Sequence, residues 1–205
     1  MRSLWDVVYN FHWIVRGEAA RAAQAHIGFL GRLLKHHRIR AVINLRGSNP
    51  SYGWWRYETG VCEGLGVTHL DAKLNSRQLP TRRMLLDLLD AFDHLPRPFL
   101  MKCSGGQDRT SFAAAMFVIH TGGWGAMGQA EGQFAGWPYL HWPRGEQRWL
   151  QLFYPFAREQ SCGRTLRDWT ESSYSQQEFK NWLVARGEMH AFRGLYDSPE
   201  VTRVL

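Results

Sequence analysis

Apolar positions along the 205-residue chain fall into two kinds of run. Short bursts of strand length are Phe11 to Val15, Arg40-Ala-Val-Ile-Asn-Leu-Arg46, Val67-Thr-His-Leu-Asp71 and Pro98-Phe-Leu-Met-Lys-Cys103. The last three are compact, end in polar or Gly-rich residues, and are separated by enough chain for crossovers. That spacing predicts parallel strands. Longer stretches carry a helical period. From Glu18 to about Lys35, Ala19, Ala22, Ala23, His26, Ile27, Leu30, Leu33 and Leu34 share one helical face. The cations Lys35 to Arg38 suit that helix's C-terminal dipole. Leu85, Leu86, Leu88, Leu89 and Phe92 recur at helical spacing behind Thr81, a suitable N-cap. Beyond Arg109 the chain reads mainly helical: an apolar helix over Ser111 to His120, another over Gly125 to Phe134, and a third over Gln176 to Arg186. The capping box Ser175-Gln-Gln-Glu178 opens the third. The fold predicted is α/β: a central, mostly parallel sheet of four or five strands flanked by helices, with extra C-terminal helices.

A chain of this length suits one domain with its own core. With 44% hydrophobic and 21% charged residues, it is not a disordered composition. No stretch approaches eighteen uncharged apolar residues, so no transmembrane helix is expected. The opening MRSLWDVVYNFHW lacks a long apolar run and a small-residue cleavage site, and reads as a mature start rather than a signal peptide. Cys62, Cys103 and Cys162 are odd in number and form no CxxC pair. A disulfide framework is thereby excluded, and a reducing, cytoplasmic setting is expected. The net charge of +7 favours anionic partners, whether nucleic acid, acidic membrane surface or phosphorylated substrate, without choosing among them. Nine histidines include no HExxH and no Cys/His set at zinc spacing, so no metal is indicated. Gly123-Trp-Gly125-Ala-Met-Gly128 follows a helix rather than a strand. It fails the dinucleotide-binding context and reads as a helix stop and restart.

The chemistry concentrates in Phe99-Leu-Met-Lys-Cys103-Ser-Gly-Gly-Gln-Asp-Arg109-Thr110-Ser111. A buried strand leads in and an apolar helix leads out. A loop closing onto a helix start aims several backbone N–H groups at one point, where the dipole adds positive potential. Gly105 and Gly106 let the backbone approach a ligand, and Arg109 adds a planar fork for two phosphate oxygens. The same field favours a thiolate at Cys103, making it a nucleophile near neutral pH. Thr110 can donate to that sulfur. Ser104, Gly105, Gly106, Gln107, Asp108 and Arg109 are the phosphate-binding candidates. Cys103, Arg109 and Thr110 are the catalytic ones.

This C-x-x-G-x-x-R-T loop resembles that of the cysteine-dependent protein tyrosine phosphatase superfamily, and within it the bacterial dual-specificity-like branch. Other segments agree: Ile39 to Arg46 looks like the family's early strand, and Trp54-Trp55-Arg56-Tyr57-Glu58 like the stretch that follows it. Val67 to Asp71 is similar to the strand leading to the general-acid loop. The match covers about residues 8–135, leaving a helical extension over about 136–205 within one domain. The resemblance implies two-step hydrolysis of phosphate monoesters on phosphotyrosine or dual-specificity phosphoprotein substrates, through a phosphocysteine intermediate and without a cofactor. It implies Asp71, thirty-two residues before the nucleophile, as the acid; Asp87, Asp90 and Asp93 are alternatives that read as a solvated helix face. Two departures stand out: Lys102 precedes the nucleophile where the family usually has His, and Gln107 stands where phosphoinositide-directed relatives often carry Lys. RNA 5′-phosphate ends, lipid or inositol phosphates, and a phospho-ligand binder without turnover remain as alternatives.

Overall fold

The computed structural model describes residues 4–25 and 28–196. In chain order its elements are α1 (Leu4–Val8), β1 (His12–Val15), β2 (Ala19–Ala22), α2 (Leu30–His37), β3 (Ala41–Asn44), α3 (Gly53–Leu65), β4 (Thr68–Asp71), β5 (Gln78–Leu79), α4 (Arg82–His94), β6 (Phe99–Lys102), α5 (Asp108–Gly122), α6 (Met127–Gly132), α7 (Trp149–Ser161), α8 (Leu166–Ser172), α9 (Gln176–Ala185) and β7 (Gly194–Leu195).

Strands β2, β3 and β6 are buried at every position, as strands covered on both faces must be. They form the middle of a five-stranded sheet in the order β1-β2-β6-β3-β4. Only the β1–β2 pair is antiparallel; β2–β6, β6–β3 and β3–β4 are parallel. β5 and β7 form a separate parallel pair. The sheet is therefore the mostly parallel one expected. Thr81 caps α4 by accepting from the Met84 N–H, and Ser175 caps α9 by accepting from the Glu178 N–H.

One expected element is different. The helix anticipated from Glu18 to Lys35 is a strand, Ala19–Ala22, followed by a loop and a helix only from Leu30 to His37. Ala19, Ala20 and Ala22 are fully buried between neighbours on both sides. Three small side chains fit a narrow sheet interior, and pairing on two edges outweighs the helical preference of alanine. His26 and Ile27, part of that predicted face, lie outside the described residues. Between α5 and α6 the chain does stop and restart, through a short 3₁₀ turn at Trp124–Ala126.

The helices after residue 136 join the core rather than hang from it. Trp149, Phe153, Tyr154 and Phe156 of α7, Trp169 of α8 and Phe179 of α9 belong to the same buried cluster as Phe99 of β6 and Phe112 of α5. Phe153 meets Phe112 edge-on at 5.2 Å between ring centroids. Packing of this kind anchors the C-terminal helices over α4 and α5, beside the loop that α5 follows. Residues 197–205 of the predicted extension lie outside the described residues. Among the described residues no helix is long and apolar enough to cross a membrane.

Candidate active site

Strand β6 runs up the centre of the sheet and delivers Cys103, Ser104, Gly105, Gly106 and Gln107 directly to the start of α5. Two features of β2 hold this turn. Gly106 has φ +67°, and a Cβ there would stand 2.6 Å from the Ala23 nitrogen and 2.7 Å from the Ala22 carbonyl carbon, so only glycine fits. Arg21, wholly buried, donates to the Gly106 carbonyl at 3.0 Å, to the Ser111 hydroxyl at 2.7 Å and to the Gln133 carbonyl at 2.8 Å. Its guanidinium thus ties the loop to α5 and to the end of α6. Burial lowers its pKa to about 10, against the opposing pull of Tyr139 and Cys103. The Gln24 N–H adds a bond to the Ser104 carbonyl at 3.0 Å.

Cys103 is buried, which by itself raises a thiol's pKa. The Arg109 charge, the Thr110 hydroxyl and the backbone N–H groups of Gln107 and Thr110 outweigh that penalty, and the sulfur lies below the ordinary cysteine range. The contrast is Cys62, a buried thiol pushed up to about 12 by desolvation and by Glu58. Thr110 is fully buried and its hydroxyl meets no other partner among the described residues.

The loop opens into a cavity of about 670 Å³. Gln107, Asp108 and Arg109 line it from the loop side. Lys73, Asn75, Ser76 and Arg77 come from the segment after β4, Arg46 from the end of β3, and Trp142, Arg144, Gln147 and Tyr196 from the C-terminal part. Asp108 is the carboxylate in this lining. Its Oδ2 accepts from Gln147 Nε2 at 2.8 Å, and His141 Nε2 lies 3.4 Å from its Oδ1.

Asp71 is placed differently. It ends β4 outside that lining, and its carboxylate accepts from Trp55 Nε1 at 3.0 Å and from Asn44 Nδ2 at 2.6 Å. Asp87, Asp90 and Asp93 lie on α4; Asp87 pairs with Arg83, while Asp90 and Asp93 pair with Arg167. Cys103, Thr110 and the phosphate-loop residues share one turn; Asp71 ends β4, level with Asn44 on β3 and, one strand further, with Lys102 on β6. Ser104 and Gly105 are exposed at the turn.

At the foot of the turn lies a buried polar cluster. Lys102 Nζ is 2.6 Å from Glu58 Oε1 and donates to Gln24 Oε1 at 2.8 Å; Gln24 Nε2 donates to Glu58 Oε2 at 2.6 Å, and His69 Nε2 stands 2.8 Å from Glu58 Oε1. Arg46 reaches Gln24 Oε1 at 3.3 Å and stacks 3.6 Å over the Trp54 ring. Trp54 and Trp55 thus serve this layer and Asp71 rather than the cavity wall.

Reading the sequence did not single out Arg21, Gln24 or Gln147 for the site. An arginine inside an alanine run was the available signal for Arg21; Gln147 is brought in by packing across long sequence separation and left none. Among the described residues no group of three or more His, Cys, Asp or Glu side chains is placed to hold a metal ion.

A central parallel sheet whose middle strand delivers a cysteine loop to a helix start is the fold of protein-tyrosine-phosphatase-like enzymes. TpbA from P. aeruginosa superposes with a TM-score of 0.55 at 16% identity, covering 86% of this chain and 92% of its own. The core catalytic domain of the PP-IP phosphatase SIW14 from S. cerevisiae, in complex with citrate, gives 0.54 at 16% identity, over 88% of this chain and 94% of its own. PTPMT1 in complex with PI(5)P gives 0.53 at 17% identity, over 73% of this chain and 98% of its own. No protein-family model and no curated protein matches the sequence.

Proposed function

We propose that this chain is a cysteine-dependent phosphatase that hydrolyses phosphate monoesters through a phosphocysteine intermediate. One observation carries the reading: strand β6 delivers a buried Cys103 into a loop closed against β2 through Gly106 and Arg21 at the start of α5, with Arg109, Thr110 and loop N–H groups around the sulfur. A thiolate in such a cradle is matched to a phosphoryl dianion, and the cradle that stabilises the sulfur also stabilises the equatorial oxygens in flight.

In the first step the Cys103 sulfur attacks phosphorus and the P–O bond to the leaving group breaks. The departing oxygen takes a proton from a carboxylic acid, since an alkoxide leaves poorly. We assign that acid to Asp108, which lines the cavity next to Arg109, in place of Asp71, the residue the family pattern implies, whose carboxylate accepts from Asn44 and Trp55. In the second step the ionised carboxylate takes a proton from water, whose oxygen displaces sulfur from phosphorus. Phosphate leaves and the thiolate returns. The Arg109 guanidinium acts on the Cys103 sulfur and lines the cavity, where its planar fork suits two phosphate oxygens.

Substrates of this class include the phosphotyrosine and dual-specificity phosphoproteins the resemblance implies, and lipid phosphates such as the PI(5)P in the PTPMT1 complex. The test is p-nitrophenyl phosphate hydrolysis with EDTA present. Wild type turns over, Cys103→Ser is inactive yet binds vanadate, and activity that survives the substitution removes the mechanism. A protein that binds vanadate and never hydrolyses any phosphoester is a phospho-ligand binder instead.

A further inference from the structure

Resting on that reading, we propose that His141 is the positioning residue of the acid. Its Nε2 and Asp108 Oδ1 hold one proton between them, and this is the proton the leaving oxygen takes.

The tautomer follows from the ring's other nitrogen. The His141 side chain is wholly buried, and its Nδ1 lies 3.2 Å from the Phe134 carbonyl oxygen. A carbonyl only accepts, so Nδ1 carries a hydrogen. In a neutral ring Nε2 is then a bare lone pair. That atom is shut off from water, has no hydrogen-bond partner among the described residues, and stands 3.4 Å from Asp108 Oδ1. Two acceptors turned toward each other in a dry site repel, and one proton between them makes the contact attractive.

Asp108 is held so that Oδ1 is the oxygen involved. The Arg144 N–H donates to Gln147 Oε1 at 2.9 Å, which settles the end of the amide that carries nitrogen. Gln147 Nε2 then donates to Asp108 Oδ2 at 2.8 Å and to Ser76 Oγ at 3.2 Å. Oδ2 is satisfied by that donor, and Oδ1 faces the histidine.

The backbone keeps His141 in this place. Leu140, just before it, has φ +56°, a left-handed conformation that leucine adopts only where its surroundings enforce it. The Leu140 N–H donates to the Gly136 carbonyl at 2.8 Å. Asn10 Nδ2 donates to the Tyr139 carbonyl at 3.0 Å and to the Gly106 carbonyl at 3.4 Å. One asparagine thus ties the histidine's segment to the phosphate loop. The Phe134 ring packs edge-on against the imidazole at 5.3 Å between centroids.

The pairing answers a difficulty of the site. Asp108 begins α5 and shares the cavity wall with Arg46, Lys73, Arg77, Arg109 and Arg144. A helix start among cations suits a carboxylate, whereas an acid must hold a proton when its substrate arrives. The histidine lone pair keeps one there. As the P–O bond breaks, the proton passes to the leaving oxygen, and Asp108 is left as a carboxylate beside a bare Nε2. In the second step the water oxygen bonds to phosphorus, sulfur departs, and the water's proton returns to the pair.

Nitrogen NMR reads the proton directly. In Cys103→Ser carrying isotope-labelled histidine, the His141 ring is assigned through its contact with Phe134. Near neutral pH it should show a protonated Nδ1 and an Nε2 signal displaced from the bare-nitrogen range toward the protonated one. Asp108→Asn should return Nε2 to the bare range. A bare Nε2 with Asp108 in place, or a bare Nδ1, overturns the pair. This readout needs no turnover, so failure of wild type to hydrolyse p-nitrophenyl phosphate strikes the phosphatase reading alone. Kinetics then separate proton sharing from mere support. His141→Phe keeps a ring against Phe134, and His141→Gln keeps a donor toward Asp108 that cannot be given up. Each should lower kcat for an alkyl phosphate by at least about tenfold and for p-nitrophenyl phosphate much less, with KM little changed. Added to Asp108→Asn, neither should slow the alkyl ester further. A His141→Gln protein as fast as wild type on the alkyl ester, equal losses on both substrates, or losses that multiply in the double variant overturn the proposal.

Discussion

Lys102 and Glu58 form an ion pair 2.6 Å long at the foot of the phosphate loop, with exposures of 2% and 1%. Lys102 is the last residue of the strand that delivers the nucleophile, and Glu58 sits on α3, forty-four positions earlier. The pair is completed by Gln24 and His69, so every charge in it has a partner. Gln24 in turn donates its backbone N–H to Ser104. The layer beneath the nucleophile is an ammonium–carboxylate lattice reaching into the loop's own backbone.

Removing one member of that lattice should cost more than removing both. Lys102→Met removes the charge facing the buried Glu58 carboxylate and leaves it only Gln24 and His69, and the expected loss is up to about 3–5 kcal/mol; Lys102→Met/Glu58→Gln should recover much of it. Urea unfolding of the single and double variants measures this. A single variant within about 1 kcal/mol of wild type would mean the pair is not holding the layer together.

The same pair predicts a pH signature. Burial lowers Lys102 to about 8 from an ordinary 10.5, despite the pull of Glu58. Between those values the unfolded chain holds the proton and the folded one has released it, so this group's contribution to stability rises with pH across that window. Glu58 behaves conversely. Burial opposes its ionisation, but His69, Lys102 and Gln24 more than offset it, and its value lies below the ordinary 4.5. Its stabilisation is present above 4.5 and is lost as pH falls through the lowered value. Stability of wild type relative to Lys102→Met should therefore climb between pH 8 and 10.5. Relative to Glu58→Gln it should fall below pH 4.5. Flat differences would contradict both assignments.

Thiol titration separates the three cysteines. Cys103 should alkylate with iodoacetamide at lower pH than an ordinary thiol, and phosphate or vanadate should protect it. Cys62, buried and raised to about 12, should stay silent. Exposed Cys162 is removed beforehand as Cys162→Ser. Because the Arg109 charge is the leading influence lowering Cys103, Arg109→Met should move the alkylation profile to higher pH. An unmoved profile would place the activating charge elsewhere.

Leaving groups decide between the two carboxylates. Asp108→Asn should slow an alkyl phosphate by about 10²–10⁴-fold and p-nitrophenyl phosphate much less, since nitrophenolate departs without a proton. Asp71→Asn should act through Trp55 and Asn44, lowering stability and both substrates' rates together. The reverse pattern, with Asp71→Asn selective for the alkyl ester, would return the acid role to Asp71.

Much of this architecture was legible from local patterns. The three parallel strands, the capped helix α4 and the strand–loop–helix around Cys103 each have a signal within a dozen residues. What escaped was whatever depends on distant chain. Ala19–Ala22 has helical composition and becomes a strand only because β1 and β6 offer edges on either side. Asp71 ends a strand, as the sequence suggested, but the partners of its carboxylate, Asn44 and Trp55, come from other elements and had no local signal. Arg144 and Gln147 reach the site on the turn before α7, and Tyr196 reaches it after β7 pairs with β5, placements that no local periodicity announces.

The contact of β2 with the phosphate loop gives the sharpest single-atom test. Gly106→Ala would force a Cβ to within 2.6 Å of the Ala23 nitrogen and 2.7 Å of the Ala22 carbonyl carbon, while asking a non-glycine residue to hold φ +67°. Backbone cannot yield there as a flexible side-chain end could, because Ala22 is paired to Lys102 on β6. The left-handed conformation alone costs about 1–2 kcal/mol, with the clash added to it. Arg21 bonds the Gly106 carbonyl, so a displaced loop also breaks that contact. The expected variant folds with a lowered melting temperature and has lost vanadate binding and turnover together. Arg21→Met should resemble it in activity, with the Gly106 carbonyl and Ser111 hydroxyl deprived of their donor. If Gly106→Ala binds vanadate as wild type does, the loop does not close against β2 and the cradle assigned to Cys103 is misplaced.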